Sequence, residues 1–418
     1  MPGAFRPKAF ILTVGNELLH GSVLNTNARF LGASLSGIGF SVTGQGSCPD
    51  ELAAIKSSLD QAMAQADFVV LTGGLGPTPD DLTRDALAEY FQSPLCFSPR
   101  QYRFIERYYR KRGARPPAMV RKEAMFPQNA VPLFNRHGIA LGFYIRRGAK
   151  CVAVLPGVPA ELEKMHVELL EPLLKKFFSS LPRRYALVVK CVGIGEPEVM
   201  ARLGKDFFRD PVEFGIYPET AEITLRLYAD KPSIIARLKR LTAKRLKGFL
   251  YAFGETSLSE VLGQNLAPQS LSLALAESCS GGALASEIVK TPGASRYFQG
   301  GVVSYSNKSK EQILGVPGGL LKKYGAVSVP VARRMAEEVR RRFSASLGLA
   351  VTGIAGPGGK GPAKPAGLVY IAIAGARRCR VWREQFTGDR NRIREKTVKR
   401  GLEYLWRWSG AKVFDPSV

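Results

Sequence analysis

The residues best equipped for chemistry stand at Glu277-Ser278-Cys279-Ser280-Gly281-Gly282, between a strand-like and a helix-like stretch. Three potential nucleophiles in a row, facing backbone amides at a helix N-terminus, suit a nucleophile with an oxyanion hole around Gly281 and Gly282. Such a nucleophile needs a base. The three histidines, His20, His137 and His166, all lie well before this region. The substitute on offer is Lys310, with Tyr305, in Ser304-Tyr305-Ser306-Asn307-Lys308-Ser309-Lys310. A lysine serves as base when burial or a cationic neighbour depresses its pKa, and a tyrosine hydroxyl can relay the proton. The competing reading makes Ser278 or Ser280 a helix cap and Lys310 a surface charge.

A second constellation is Thr72-Gly73-Gly74-Leu75-Gly76-Pro77, followed by Asp80 and Asp81. Its glycines let the backbone approach a ligand, and a helix from about Asp80 would aim its amides at the same place, which suits phosphate. Asp80 and Asp81, with Asp50 and Glu17 at the ends of neighbouring strand–loop segments, suit a hard divalent cation beside that phosphate. Against this, short glycine-rich loops are weak signals, and the two aspartates can simply cap a helix. Arg100–Arg115 mixes aromatic and basic residues, but its apolar spacing is that of an amphipathic helix with a solvated basic face. The cysteines read as small buried hydrophobes, with Cys279 alone in a reactive setting.

These loops need strands and helices to hold them. Ala9–Val14, Phe68–Leu71 and Cys151–Leu155 are short apolar runs that end in turn residues, with helical spacing over 23–36 and 51–64, the second behind Asp50 as N-cap. Strand, helix, strand with glycine-rich loops predicts a parallel α/β sheet. Residues 181–255 differ, with strands at Tyr185–Val192 and Ala221–Tyr228 and a basic helix over Ile234–Lys247, as in a small α+β module. The remainder alternates again: strands at Leu271–Ala276, Gly301–Tyr305, Gly348–Val351 and Leu368–Ala374, and helices at Gly281–Val289, Val331–Arg342 and Arg392–Trp408. The late Thr352-Gly353-Ile354-Ala355-Gly356-Pro357 echoes the early loop, and each lies where open α/β sheets bind ligands.

The 418 residues carry 60 Lys+Arg against 35 Asp+Glu, a formal charge of +25 that favours anionic partners. Six cysteines without a CxxC pair argue against a zinc site or a disulfide framework, and so for a reducing compartment. The N-terminus lacks a signal-peptide core, and no apolar run nears the roughly 18 residues of a membrane helix. A soluble, cytoplasmic protein with no membrane partner is expected.

Taken in order, the motifs resemble full-length proteins of the CinA (competence/damage-inducible protein A) family across the whole chain. The N-terminal matches are Gly15-Asn16-Glu17-Leu18-Leu19, Asn25-Thr26-Asn27, Thr72 through Thr83 and Pro156-Gly157-Val158-Pro159-Ala160-Glu161. Further on come Gly193-Ile194-Gly195-Glu196, Tyr217-Pro218 with Ile223–Arg226, Ala276 through Gly282, Ser304–Asn307 with Lys310, and Gly325–Ser328. Thr352 through Pro357, Lys364-Pro365 and Thr387-Gly388-Asp389-Arg390 complete the set. One stretch departs: Asn135-Arg-His-Gly-Ile-Ala-Leu-Gly142 stands where the family shows Asn-Pro-x-Gly-Thr-Ala-Pro-Gly, in a loop expected to face the N-terminal site.

The resemblance implies an α/β chain of three parts. These are a molybdopterin-binding-like three-layer domain over 1–178, a KH-like module over 179–255 and a CinA C-terminal domain over 256–418. It implies hydrolysis of nicotinamide mononucleotide to nicotinate mononucleotide and ammonia, without a cofactor, in the last part. In the first it implies ADP-ribose cleavage with a divalent metal (Mg, Mn or Co). The implied catalytic residues are Ser278, Tyr305, Lys310 and Ser280, with Cys279, Gly281, Gly282, Asn307, Thr352, Gly353 and Gly356 binding substrate. Glu17, Asn27, Asp50, Gly73, Gly74, Gly76 and Asp81 would bind nucleotide, and Asp80 with Asp81 the metal. A homodimer is expected. The alternative is a competence-linked nucleic-acid accessory using the basic segment 237–247, disfavoured because the module lacks the Gly-x-x-Gly loop of KH domains. Pterin binding by the first part rests on fold analogy alone.

Overall fold

A strand buried on both faces reads as a continuous apolar run, and three such runs build the first sheet. The computed structural model describes residues 6–178, 181–182, 184–359 and 364–416. It divides into two compact units, Met1–Arg184 and Tyr185–Val418.

In the first unit a six-stranded sheet runs Ser41–Cys48, Lys8–Val14, Phe68–Thr72, Lys150–Leu155, Gly142–Arg147 and Val131–Leu133. The first four are parallel, Gly142–Arg147 runs against them, and Val131–Leu133 pairs antiparallel with Gly142–Arg147. Alternate residues feed two cores. Leu12, Val14, Val69 and Leu71 meet Ile55 and Leu59 of helix Leu52–Gln65, while Ala9, Ile11, Phe68 and Val70 meet Leu31 and Leu35 of helix Thr26–Ile38. Asn25 caps the latter helix by accepting from the Ala28 amide at 2.9 Å. The loops after Val14, Cys48, Thr72 and Leu155 all leave the same edge of the sheet.

The second unit holds two sheets. An antiparallel sheet runs Glu213–Glu219, Glu222–Ala229, Tyr185–Val192, Leu250–Phe253, with helices Glu196–Leu203 and Pro232–Arg245 packed into its own core. A five-stranded sheet runs Phe298–Val303, Leu273–Glu277, Leu347–Gly353, Leu368–Ala374, Cys379–Gln385. Its first three strands are parallel, so the loops that follow them converge. Helices Leu258–Leu266 and Arg390–Trp408 cover one face, and Val329–Arg342 the other.

The middle residues from Tyr185 onward keep a core of their own within the second unit; residue 179, the expected start of that module, lies outside the described residues. Other expectations need correction. The helix expected from about Asp80 begins at Thr83, and that expected from Gly281 begins at Ala283. Asp50 is not a helix cap: it accepts from the Asn16 amide at 2.9 Å and ties two loops together. In the basic helix, Arg237, Lys239 and Arg245 pair with Asp210, Asp415 and Asp206, so half of the supposed nucleic-acid face is spent internally. Among the described residues, no helix is long and apolar enough to cross a membrane.

Candidate active site and a second cleft

The parallel pairing of Leu273–Glu277 with Phe298–Val303 sets the loop 278–282 beside the loop that leads into helix Asn307–Gln312. Lys310, 1% exposed, points its Nζ at Ser278 Oγ (2.9 Å), the Ser304 carbonyl (2.6 Å) and the Tyr305 carbonyl (3.4 Å). No carboxylate pairs with it among the described residues, and burial pushes its pKa down to about 8. The geometry restricts what the neutral amine can do. Its two N–H groups suit the two carbonyls, which can only accept, and the remaining lone pair then faces the hydroxyl, which can donate.

The other two nucleophile candidates are differently placed. Cys279 is buried in the core, its thiol pushed up to about 12 by desolvation. Ser280, fully buried, donates to Glu277 Oε2 at 2.7 Å. Glu277 heads the motif but has no role in the sequence reading, yet its carboxylate also accepts from the amides of Gly282 (2.9 Å), Leu284 (3.1 Å) and Ala285 (2.8 Å). The Gly281 amide bonds the Ser278 carbonyl. The oxyanion hole expected at Gly281 and Gly282 is therefore closed by the chain's own groups. The glycines are needed for another reason, their positive φ of 62° and 93°.

Tyr305 contributes its carbonyl to Lys310, while its hydroxyl meets Arg390 Nη2 at 2.6 Å and so does not stand in the expected relay position. Arg390 also bonds the Gly356 carbonyl (2.7 Å), and Arg394, one turn on, bonds the Ser280 carbonyl (3.0 Å). These two arginines, missed by the residue-level reading, lie on one face of the last helix at i, i+4 behind the Asp389 cap. Thr352 turns away to the Ala326 carbonyl, Gly353 ends its strand, and Asn307 is exposed in the first turn of its helix.

In the first unit, a cleft of about 570 Å³ is lined by Glu17, Asn27, Asp50, Gly73, Gly74, Gly76, Asp80 and Asp81, all singled out by sequence. Gly73 must be glycine, because a Cβ there would sit 2.1 Å from the Val14 carbonyl oxygen. Asp81 is folded onto the loop, accepting from the Gly76 amide (2.7 Å), the Thr78 amide (2.8 Å) and Thr78 Oγ1 (2.6 Å). Asp80 is tied to Thr78 Oγ1, which holds its pKa below the usual value. Burial, and then the charges of Glu17, Asp80 and Asp81, raise that of Asp50. Asn27 bridges the loops through Thr72 Oγ1 and the Gly157 carbonyl. Sequence reasoning missed Glu123, 2% exposed, with an unpartnered Oε2 and a pKa pushed up to about 7 by burial. The aspartate pair does not fit an ion held by protein alone. Both carboxylates are engaged by the loop, and no three potential ligands converge among the described residues.

Residues 255–408 match the CinA C-terminal domain, and residues 10–176 match the probable molybdopterin binding domain. A putative competence-damage inducible protein of Caldicellulosiruptor saccharolyticus is 36% identical over 405 residues, 95% of this chain and 98% of that protein. That of Moorella thermoacetica is 38% identical over 408 residues, 96% and 98% of the two chains. The chain belongs to the CinA family. A crystal structure of the CinA protein of Thermoplasma acidophilum, with unknown function, is 34% identical, covers 41% of this chain and 99% of that one, and gives a TM-score of 0.37. In this CinA family member the departing loop 135–142 does border the first cleft, through Ile139 and Ala140. Its Asn135 donates to Glu161 Oε2 at 2.6 Å, and Gly138 leaves room for that carboxylate.

Proposed function

We propose that the second unit hydrolyses the carboxamide of nicotinamide mononucleotide, with Ser278 as nucleophile and Lys310 as base. The observation that carries this is the 2.9 Å contact between a hydroxyl and a buried amine that has no counter-ion among the described residues. Neutral Lys310 takes the Ser278 proton as Oγ bonds to the amide carbon, and the carbonyl electrons move to oxygen. The ammonium of Lys310 then protonates the leaving nitrogen. Ammonia departs as the C–N bond breaks, leaving an ester on Ser278. Water, deprotonated by Lys310, attacks the ester, and nicotinate mononucleotide leaves as Ser278 regains its proton. Arg390 and Arg394, at the rim, suit the substrate's phosphate. The step needs no cofactor.

The first cleft supports its implied activity less well. Among the described residues six carboxylates and no cationic side chain line it, which opposes a pyrophosphate unless cations arrive with the substrate.

Ammonia release from nicotinamide mononucleotide by the purified chain, and by Ser278→Ala and Lys310→Ala, is the test. Each variant should lose about 10²–10⁴ in rate; full activity in both removes the mechanism.

A further inference from the structure

A cleft of about 750 Å³ in the second unit is used by neither site. It lies between Gly193, the hairpin carrying Arg378 and Arg380, and the end of helix Arg390–Trp408, and shares no residue with the Ser278–Lys310 pair or its rim. Its lining holds four guanidinium groups, Arg378, Arg380, Arg400 and Arg407, against one carboxylate, Glu403. Glu403, 2% exposed, is spent on Arg400 (2.6 Å) and Arg407 (2.9 Å). No carboxylate pairs with Arg378 or Arg380 among the described residues.

Each of these two is instead held over an indole: Arg378 at 4.1 Å from the Trp408 ring centre and Arg380 at 5.0 Å from that of Trp382. Stacking orients a guanidinium plane without consuming its N–H fork, and a free fork matches phosphate oxygens. The rings themselves are taken. Trp382 stacks on Tyr404 at 4.3 Å and 11°, beneath Arg380, so it offers no open platform for a base. What the cleft offers is positive charge and guanidinium forks.

We infer that this cleft binds phosphate groups through Arg378 and Arg380, whether those of a small nucleotide or of a nucleic-acid backbone. The chain carries its own reporter, because its three tryptophans stand at 382, 406 and 408, in the cleft or beside it. The experiment titrates the full chain with pyrophosphate, ADP and an oligothymidylate, following tryptophan emission at low and at physiological salt. A saturable change with pyrophosphate is expected, and an affinity at least about tenfold weaker in Arg378→Ala/Arg380→Ala. The Arg378→Lys/Arg380→Lys variant, which keeps the charge and loses the fork, should fall between. Tighter binding of the oligonucleotide with a steep salt slope assigns the source as a nucleic-acid backbone, and comparable affinities assign it as a small phosphoanion. No saturable change with any probe, or unchanged affinity in the alanine variant, overturns the proposal. Amide hydrolysis should be the same in the variants as in the parent, so failure of either proposal is seen separately.

Discussion

Both units set a glycine-rich loop at the carboxyl end of a buried parallel strand, and in both the chain fills that loop with its own carboxylate. Asp81 takes three hydrogen bonds from the first loop, and Glu277 takes four from the other. The difference is in burial and in the group behind. Glu277 is 1% exposed and Asp81 only half-buried. Behind the first loop stands Glu123, an acid held near 7 with an unpartnered oxygen; behind the second stands Lys310, a base held near 8 against a hydroxyl. Glycine patterns of similar appearance therefore serve different ends. What can react is decided by the titratable group that burial has shifted behind each loop.

The sharpest break of this comparison is Lys310→Met. Amide hydrolysis should fall about 10³-fold, since the base is gone. In the parent, the rate should climb with pH and level above about 8, as the neutral amine accumulates. The parent's stability should follow the same pH sense. Lys310 has its folded pKa depressed from 10.5 to about 8, so the unfolded chain holds the extra proton between those values and stability rises with pH across that window. At pH 7 the burial cost of about 3 kcal/mol is fully present. Methionine removes it but leaves two carbonyls without donors, at about 1 kcal/mol each. The variant should be about 1 kcal/mol more stable than the parent at pH 7 and less stable than it by pH 10.5. Urea unfolding followed by tryptophan emission reads this, because all three tryptophans belong to the second unit.

Glu277→Gln tests the filled loop. An amide oxygen can still accept, but the NH₂ replaces an acceptor that several buried donors require. We expect about 3 kcal/mol of lost stability and a slower reaction through a displaced Ser278. Parental stability in the same unfolding assay would make Glu277 a bystander.

The central strands were legible because burial on both faces leaves an apolar run, as at Phe68–Thr72 and Lys150–Leu155. Glu213–Glu219 was missed for the opposite reason: it is an edge strand with no buried face, so no alternation marks it. Ser278 and Lys310 were found together by elimination, since no histidine follows residue 166. Their contact arises from adjacent parallel strands, a tertiary fact. Glu277 was illegible because its partners are amides of the following turn, which only the folded loop turns toward it. Glu123 was hidden beside Arg121 and Lys122, where a charged run reads as a solvated face although this residue turns inward.

Glu123→Gln probes the other titratable group, with the opposite pH sense. An acid whose folded pKa is raised from 4.5 to about 7 adds stability that is complete below 4.5 and lost as pH rises through 7. The parent's first unit should therefore weaken between those values, and the variant's should not. At pH 8 the variant should gain about 2 kcal/mol, the shift being partly offset by the new amide's need for an acceptor. Hydrogen exchange in strand Phe68–Thr72 reads it, since this unit has no tryptophan. Equal protection in parent and variant at pH 8 would remove the charge from Glu123's account.

Asp81→Asn is the smallest change and tests the burial contrast directly. Its carboxylate also gathers loop donors, but water reaches it, so a donor left unmet there can be solvated. Asparagine keeps one acceptor for the Gly76 amide or for Thr78, and the loss should be about 1 kcal/mol, seen as faster exchange at the amides of 73–78. The second unit's hydrolysis should not change. If this substitution costs as much as Glu277→Gln, solvent access does not separate the two loops, and the number of donors each carboxylate gathers is the better measure of what it holds in place.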